Sequence, residues 1–413
     1  MINLSRHPSW LLGLSATQAG AVLVFMSFAG ALPLLQADWL LNNTQAGAIQ
    51  AAGQIGYLLA VLVSSSLTDY VTPKQLIVGG ALWAGISNLA FAVFADDVTS
   101  AVILRALVGM GVAFIYMPGV KYISEQIPSS QRGSAVGLFV ASFTLGSAVS
   151  IALGGNLAAI LGWRMAFALS SIGPLAGALI SWRTLPNTER PDLPQEQPVP
   201  ISKLLHNRPA VLVILLYVCH AWEVLGLRSW LAAYLTAVGV QNGASLVAAT
   251  RNGATVAGIA TLVAATATAS VATLSDQFSR RKIIIAVMGA SLFATSFLGF
   301  TWTFPWVIVV VVSLAAAFFS NADSAVISTT LTEVVPTNYL GRTLAIYSFF
   351  GFTAGSISPF IFGAALDFAN ANDPTAMNIG SPWSWGFATL ALGSLAGLLI
   401  AVVFYRSGIE LRE

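Results

Sequence analysis

The sequence predicts an all-α integral membrane protein with twelve transmembrane helices in two pseudo-symmetric six-helix bundles. Three observations carry that prediction. Apolar residues make up 56% of the 413-residue chain and charged residues 8%, where a soluble domain carries roughly 25% charged. Hydropathy divides the chain into twelve stretches, many of which reach the ~20 apolar residues a bilayer core demands. Two short signals each occur twice, about half a chain apart.

The repeat defines the organisation. Leu67-Thr68-Asp69, with Lys74 close behind, returns as Leu274-Ser275-Asp276 with Arg280, Arg281 and Lys282. Glu125-Gln126-Ile127-Pro128, followed by Arg132, returns as Glu333-Val334-Val335-Pro336, followed by Arg342. The offsets are 207 for the Asp pair, 208 for the Glu and Pro pairs and 210 for the Arg pair. Two halves of one design in so hydrophobic a chain point to a transporter whose substrate lies between them.

The first six spans run roughly 13–36, 44–66, 75–95, 98–126, 134–160 and 164–182, and the second six roughly 209–237, 243–272, 283–302, 305–333, 343–367 and 384–405. This gives a first bundle over 1–182, a cytoplasmic linker over 183–208 and a second bundle over 209–413. The linker is polar, with five prolines from Pro186 to Pro200. That composition favours an extended chain with a short surface helix near Ile201–Leu205. The first apolar run reads as a retained helix rather than a signal peptide: only Arg6 precedes Trp10, and no small-residue cleavage site follows.

With both termini in the cytoplasm, thirteen of the eighteen Lys and Arg fall in inner segments and only Arg164 in an outer loop. The remaining four, Arg105, Lys121, Arg228 and Arg251, fall within spans. This bias predicts cytoplasmic N and C termini in a plasma or inner membrane. No basic cluster interleaved with aromatics points to nucleic acid. No phosphate-binding glycine loop, Cys/His metal cluster or nucleophile–base set is present. The partners expected are therefore the bilayer and a small solute, with no cofactor, no metal and no enzymatic chemistry. The lone Cys219 lies in an apolar run and reads as a small core residue.

Two six-helix halves, a long central linker and a charged loop after the second and eighth spans resemble the major facilitator superfamily. Its loop motif runs Gly-x-Leu-[small]-Asp-[basic]-x-Gly-basic-basic. The copy from Ser65 to Lys74 keeps the Leu, small residue, Asp and one base; the copy from Ala272 to Arg281 keeps Leu274, Ser275, Asp276, Arg280 and Arg281. Arg105 with Gly109 and Gly111 is similar to the family's Arg-x-x-x-Gly-x-Gly element. Pro118-Gly119-Val120-Lys121, Gln131-Arg132-Gly133 and Gly162-Trp163-Arg164 look like the nitrate/nitrite and cyanate porter branches. Those branches move small anions and, in the nitrate porters, carry an arginine on the second and eighth helices. Arg251 matches the second; the second span has Gln54 and no arginine, so the pair is incomplete. The resemblance implies a monomeric secondary transporter working by alternating access.

An ionisable group at mid-membrane costs on the order of 2.5–3.5 kcal/mol, so each one invites a function. The richest group is on the seventh span: His220, Glu223 and Arg228. His220 and Glu223, three apart, share a face; Arg228, five beyond Glu223, lies ~140° around the helix. Each is therefore expected to seek a partner on another helix. Glu223 reads as a proton site aided by His220, with Arg228 holding an anion or a gate; the alternative is a salt-bridge network that fixes packing. Arg251 lies ~12 Å into the eighth span with no acid within four residues. It either contacts an anionic substrate with its planar fork or pairs with Glu223 or Asp323. Asp323 either couples a proton or sodium ion or partners an arginine.

Lys121 and Glu125, four apart, read as a local ion pair at an inner gate. For Arg105 the resemblance implies a role in proton coupling, with a structural tie as the alternative. It also places Asp69 and Asp276 against the N-termini of partner helices, where a carboxylate meets unpaired N–H groups; Glu125, Arg132, Glu333 and Arg342 would extend that gating latch. The leading function is secondary transport of a small anion, by proton symport or exchange. Proton-coupled efflux of drug-like or cationic compounds, and a membrane sensor without flux, are the alternatives.

Overall fold

Hydrocarbon offers no hydrogen-bond partner, so a spanning segment satisfies its backbone internally, as a helix. In the computed structural model, which describes residues 8–67, 70–187, 207–275, 277–372 and 382–407, the described secondary structure is helical. The elements are α1 (Ser9–Trp39), α2 (Asn43–Leu67), α3 (Pro73–Phe94), α4 (Val98–Gln126), α5 (Ser129–Leu161), α6 (Trp163–Ser170), α7 (Ile172–Thr184), α8 (Arg208–Gln241), α9 (Leu246–Ser275), α10 (Arg280–Leu298), α11 (Trp306–Ala322), α12 (Ser324–Val334), α13 (Thr337–Asn372) and α14 (Pro382–Arg406). Counting α6 with α7 and α11 with α12, twelve helical spans are long and apolar enough to cross a membrane. The expected linker helix near Ile201–Leu205 lies outside the described residues.

Local chemistry sets several boundaries. Thr72 starts α3 as a capping box, its hydroxyl accepting from the Gln75 N–H, with Pro73 in the first turn. Asp97 starts α4, its carboxylate accepting from the Ser100 N–H at 2.7 Å. That bond holds the exposed Asp97 carboxyl below its ordinary range. Asn207 caps α8 through the Ala210 N–H. Gly162 (φ 82°) and Gly243 (φ 90°) make the tight turns after α5 and α8, where a side chain would be strained.

Two spans predicted as continuous are broken. The sixth breaks at Ser171. Pro174 has no N–H to give the Ser170 carbonyl, and Asn88 of α3 braces the break, donating to the Phe167 carbonyl and to Ser171 Oγ. The tenth breaks at Asp323. Thr268 of α9 donates its hydroxyl to the Asn321 carbonyl at 3.0 Å, the kind of side-chain insertion that opens a helical ladder.

The chain forms two compact units. One takes α1, α2 from Ala48, α3 to α7 and Ser245–Gly258; the other takes Asn42–Gly47, α8 and the chain from Ile259 onward. Within the first unit α1 packs on α5 and α7, and α3 on α4 and α7. Within the second, α8 packs on α13 and α14, and α10 on α14 and α11. The first-on-fifth and third-on-sixth pairings of spans thus recur as seventh-on-eleventh and ninth-on-twelfth.

Close helix approach rests on small residues. Gly20 of α1 and Gly173 of α7 face each other so closely that a Cβ at either would stand 2.6 Å from the other's carbonyl oxygen. Outward positions are apolar: Phe293, Val307 and Leu392 are all exposed, a surface suited to lipid and not to water.

Gly20→Ala is expected to destabilise by about 1–3 kcal/mol through overpacking, whereas Gly289→Ala, whose Cβ meets open space, is expected to be neutral or to stabilise by up to ~1 kcal/mol. Thermal unfolding in detergent should therefore move Tm down for the first and not for the second.

Candidate functional site

The second unit holds His220, Glu223, Arg228 and Asp323, the within-span charges singled out there on sequence grounds. His220 on α8 and Asp323 at the α11–α12 break meet through Nδ1 and Oδ1 at 2.7 Å, both almost fully buried. The Asp323 carboxylate makes no capping bond to α12; the break turns it to the imidazole instead. The Tyr217 ring stacks on His220 on one side and on Tyr347 of α13 on the other, the second pair with centroids 3.7 Å apart. Ser328 of α12 bonds to the Tyr347 hydroxyl at 2.9 Å. Of the two readings open for Asp323, the pairing with an arginine is not what the structure shows: its partner is His220.

Glu223, one turn along α8, is 4% exposed. Its Oε1 accepts from Ser291 Oγ at 2.7 Å and Thr295 Oγ1 at 2.6 Å, both on α10. Among the described residues it forms no ion pair. Two hydroxyls can rotate to serve either protonation state of a carboxyl, donating to the anion or accepting from the acid.

Arg228 differs from its neighbours. It lies half-buried on α8, and among the described residues its guanidinium makes no hydrogen bond and no ion pair. The Asp323 and Glu223 carboxyls are engaged by His220, Ser291 and Thr295, which among the described residues leaves the planar fork of Arg228 open to an external acceptor.

Other candidates fall elsewhere. Arg251 is exposed and grouped with the first unit, where its Nε makes a long 3.4 Å bond to Asn156 Oδ1; it pairs with neither Glu223 nor Asp323. Arg105 is 1% exposed and donates to the Val24 and Phe25 carbonyls of α1 at 2.8 and 2.6 Å, flanked by the Phe28 and Phe91 rings. Its guanidinium ties α4 to α1 and reaches no carboxyl among the described residues.

The residues assigned to gating also separate. Asp69 and Asp276 lie outside the described residues. Glu333 pairs with Arg280, so the two repeated signals meet in the second unit. Arg342 and Arg132 are exposed. In the first unit Lys74 donates to Asn187, and Glu125, expected to pair with Lys121, is exposed and forms no ion pair among the described residues. A solvated pair at that spacing gains little.

Several partners were not singled out from sequence. Ser291 and Thr295 carried a weak signal: two hydroxyls four apart in an apolar run. Asp367 near the end of α13 carried none. It accepts from the N–H groups and side chains of Asn43 and Thr44 at 2.6–3.0 Å, holding the first turn of α2, which explains the grouping of that turn with the second unit.

Twelve apolar spans around buried, specifically partnered charges define a multi-pass membrane protein of the transporter class. The chain belongs to the Major Facilitator Superfamily, whose family model matches residues 14–359. It is 23% identical over 359 residues to the hexuronate transporter of Bacillus subtilis (strain 168), a match covering 82% of each chain. It is 28% identical over 204 residues to the 3-(3-hydroxy-phenyl)propionate transporter of Escherichia coli (strain K12), there spanning 49% of this chain and 50% of the relative. A bacterial homolog of the human lysosomal transporter Spinster, solved in an inward-facing, unoccupied conformation, shares the fold with a TM-score of 0.77 at 18% identity, over 96% of this chain and 95% of that one.

Asp323→Ala, which strands a buried imidazole, is expected to destabilise by about 3–5 kcal/mol. Asp323→Asn keeps a hydrogen-bond partner and should lose less. The order of Tm in detergent, wild type above Asn above Ala, checks the pairing; equal Tm for all three would contradict it.

Proposed function

We propose that this chain is a secondary transporter for a small organic anion, with Arg228 as the contact for its carboxylate and Glu223 as the proton-carrying group. The observation that carries the reading is that, among the described residues, the Arg228 guanidinium makes no hydrogen bond or ion pair and the buried glutamate on the same helix meets no cation. An arginine fork matches carboxylate geometry, and two relatives are named for carboxylate solutes, a hexuronate and a phenylpropionate. Proton transfer at Glu223 changes the charge of α8 by one unit a few residues from Arg228, which links the solute's charge to the proton. The His220–Asp323 pair at the α11–α12 break is the second group able to take part, because a change at either partner loosens the contact between α8 and that break. Arg105, by holding α1 against α4, acts on the coupling through helix position rather than proton transfer.

Alternating access follows from the repeated architecture. The basic bias supports cytoplasmic termini in a plasma or inner membrane, and the family resemblance supports a monomer as the working form. The charged ends of the repeat, Glu333 with Arg280 and the exposed Glu125, Arg132 and Arg342, serve as the gating group together with Asp69 and Asp276. Efflux of a cationic compound is the competing reading, favoured by the same lack of a cation at Glu223; it makes Glu223 the ligand and leaves Arg228 without a role.

Uptake of labelled hexuronates and aromatic carboxylates into proteoliposomes separates the two. Arg228→Ala is expected to lower saturable uptake by roughly 10–100-fold, the value of a hydrogen bond to a charged group, with Arg228→Lys intermediate. Glu223→Gln is expected to abolish the response to an imposed proton gradient while preserving solute exchange at zero gradient. Carboxylate uptake indifferent to Arg228→Ala would defeat the assignment, and absent uptake with gradient-driven loss of a cationic dye would install the efflux reading.

A further inference from the structure

We propose that the cleft between the start of α3 and the end of α7 binds the headgroup of an anionic phospholipid. The cleft belongs to the first unit alone and the inference does not rest on the transport reading. Its volume is about 530 Å³. Lys74, Gln75 and Asn187 form its polar end, and Val78, Leu82 and Trp182 its apolar wall.

Helix boundaries put the cleft at a membrane–water interface. Lys74 sits in the first turn of a span that begins at Pro73, and Asn187 lies just beyond a span that ends at Thr184. Lys74 Nζ donates to Asn187 Oδ1 at 3.0 Å and meets no carboxylate among the described residues. An ammonium held by one neutral amide keeps its charge uncompensated and has further N–H donors to give. Trp182 is 60% exposed, an amphipathic ring at headgroup level. Leu82 is also exposed, and the Cβ position of Gly79 meets open space, so the apolar wall continues along α3 toward the bilayer interior.

That arrangement matches an amphiphile and not a free anion. A phosphodiester on Lys74 places its glycerol and first acyl carbons against Leu82 and Trp182, whereas a soluble phosphate uses the polar end and leaves the apolar wall uncovered. Arg183, exposed next to Trp182 in the chain, adds positive charge nearby, and such juxtamembrane cations attract anionic lipid.

The test uses the full chain in phosphatidylcholine nanodiscs with a rising fraction of brominated phosphatidylglycerol or brominated phosphatidylcholine. Quenching lost in Trp182→Phe reports the cleft. Half-saturation is expected at an about fivefold lower mole fraction for the glycerol lipid, the preference one lysine confers at a membrane surface. Lys74→Gln should remove that preference and Lys74→Arg retain it. Gly79→Phe, which fills open space with Lys74 still in place, should remove the Trp182 quenching. Equal half-saturation for the two headgroups would overturn the proposal. So would recovery of fluorescence on adding inorganic phosphate at constant ionic strength, which would make this a soluble-phosphate site. Absence of Trp182 quenching by either lipid would also overturn it, by showing the cleft closed by the rest of the chain.

Discussion

Charges in hydrocarbon persist only where protein groups replace water, and that constraint organises everything polar in this molecule. Arg105 is stabilised by two main-chain carbonyls of α1, His220 by Asp323, and Glu223 by two hydroxyls of α10. Each solution draws a partner from a different helix, so each also fixes how two helices pack. The polar contacts are therefore part of the architecture and cannot be removed without disturbing the helices that carry them.

The two units meet the constraint differently although they share a packing plan. In the first, the buried cation is locked to backbone, which has no charge to change and no proton to exchange. In the second, the partners are a histidine, two carboxyls and hydroxyls, all of which can change protonation or donor direction. Side chains able to change protonation or donor direction are thus the buried partners described in the second unit, and main-chain carbonyls those of Arg105 in the first. The ends of the repeat diverge in the same sense: Arg280 and Glu333 form an ion pair, but Lys74 meets an amide and Glu125 is solvated.

Helix breaks are where the second unit departs from a plain bundle. Asp323 sits between α11 and α12, with its main chain still accepting from the Ile327 N–H at 2.8 Å and its side chain turned to His220. A discontinuity at membrane depth exposes backbone groups and is tolerated only when protein covers it. The aromatic stack of Tyr217 on Tyr347, closed by Ser328, lies beside this point and shields it. Arg228, whose guanidinium makes no hydrogen bond or ion pair among the described residues, lies on the same helix as His220 and Glu223.

Sequence alone determined the helical class, the twelve spans, the two-fold repeat and which ionisable residues lie within membrane depth. These follow from composition and spacing, because the bilayer sets span length and penalises charge regardless of neighbours. It also showed that Glu223 and Arg228 could not form a good local pair, since their positions around a single helix follow from 3.6 residues per turn. What each charge pairs with was decided by tertiary structure. His220 rather than an arginine takes Asp323, Arg280 pairs with Glu333, and Asp367 finds the first turn of α2 from more than three hundred residues away. The break at Asp323 was equally hidden, for it depends on a hydroxyl from α9 reaching a carbonyl of α11. A partner's identity depends on rotation and depth of two helices together, and no periodicity within one span contains that information.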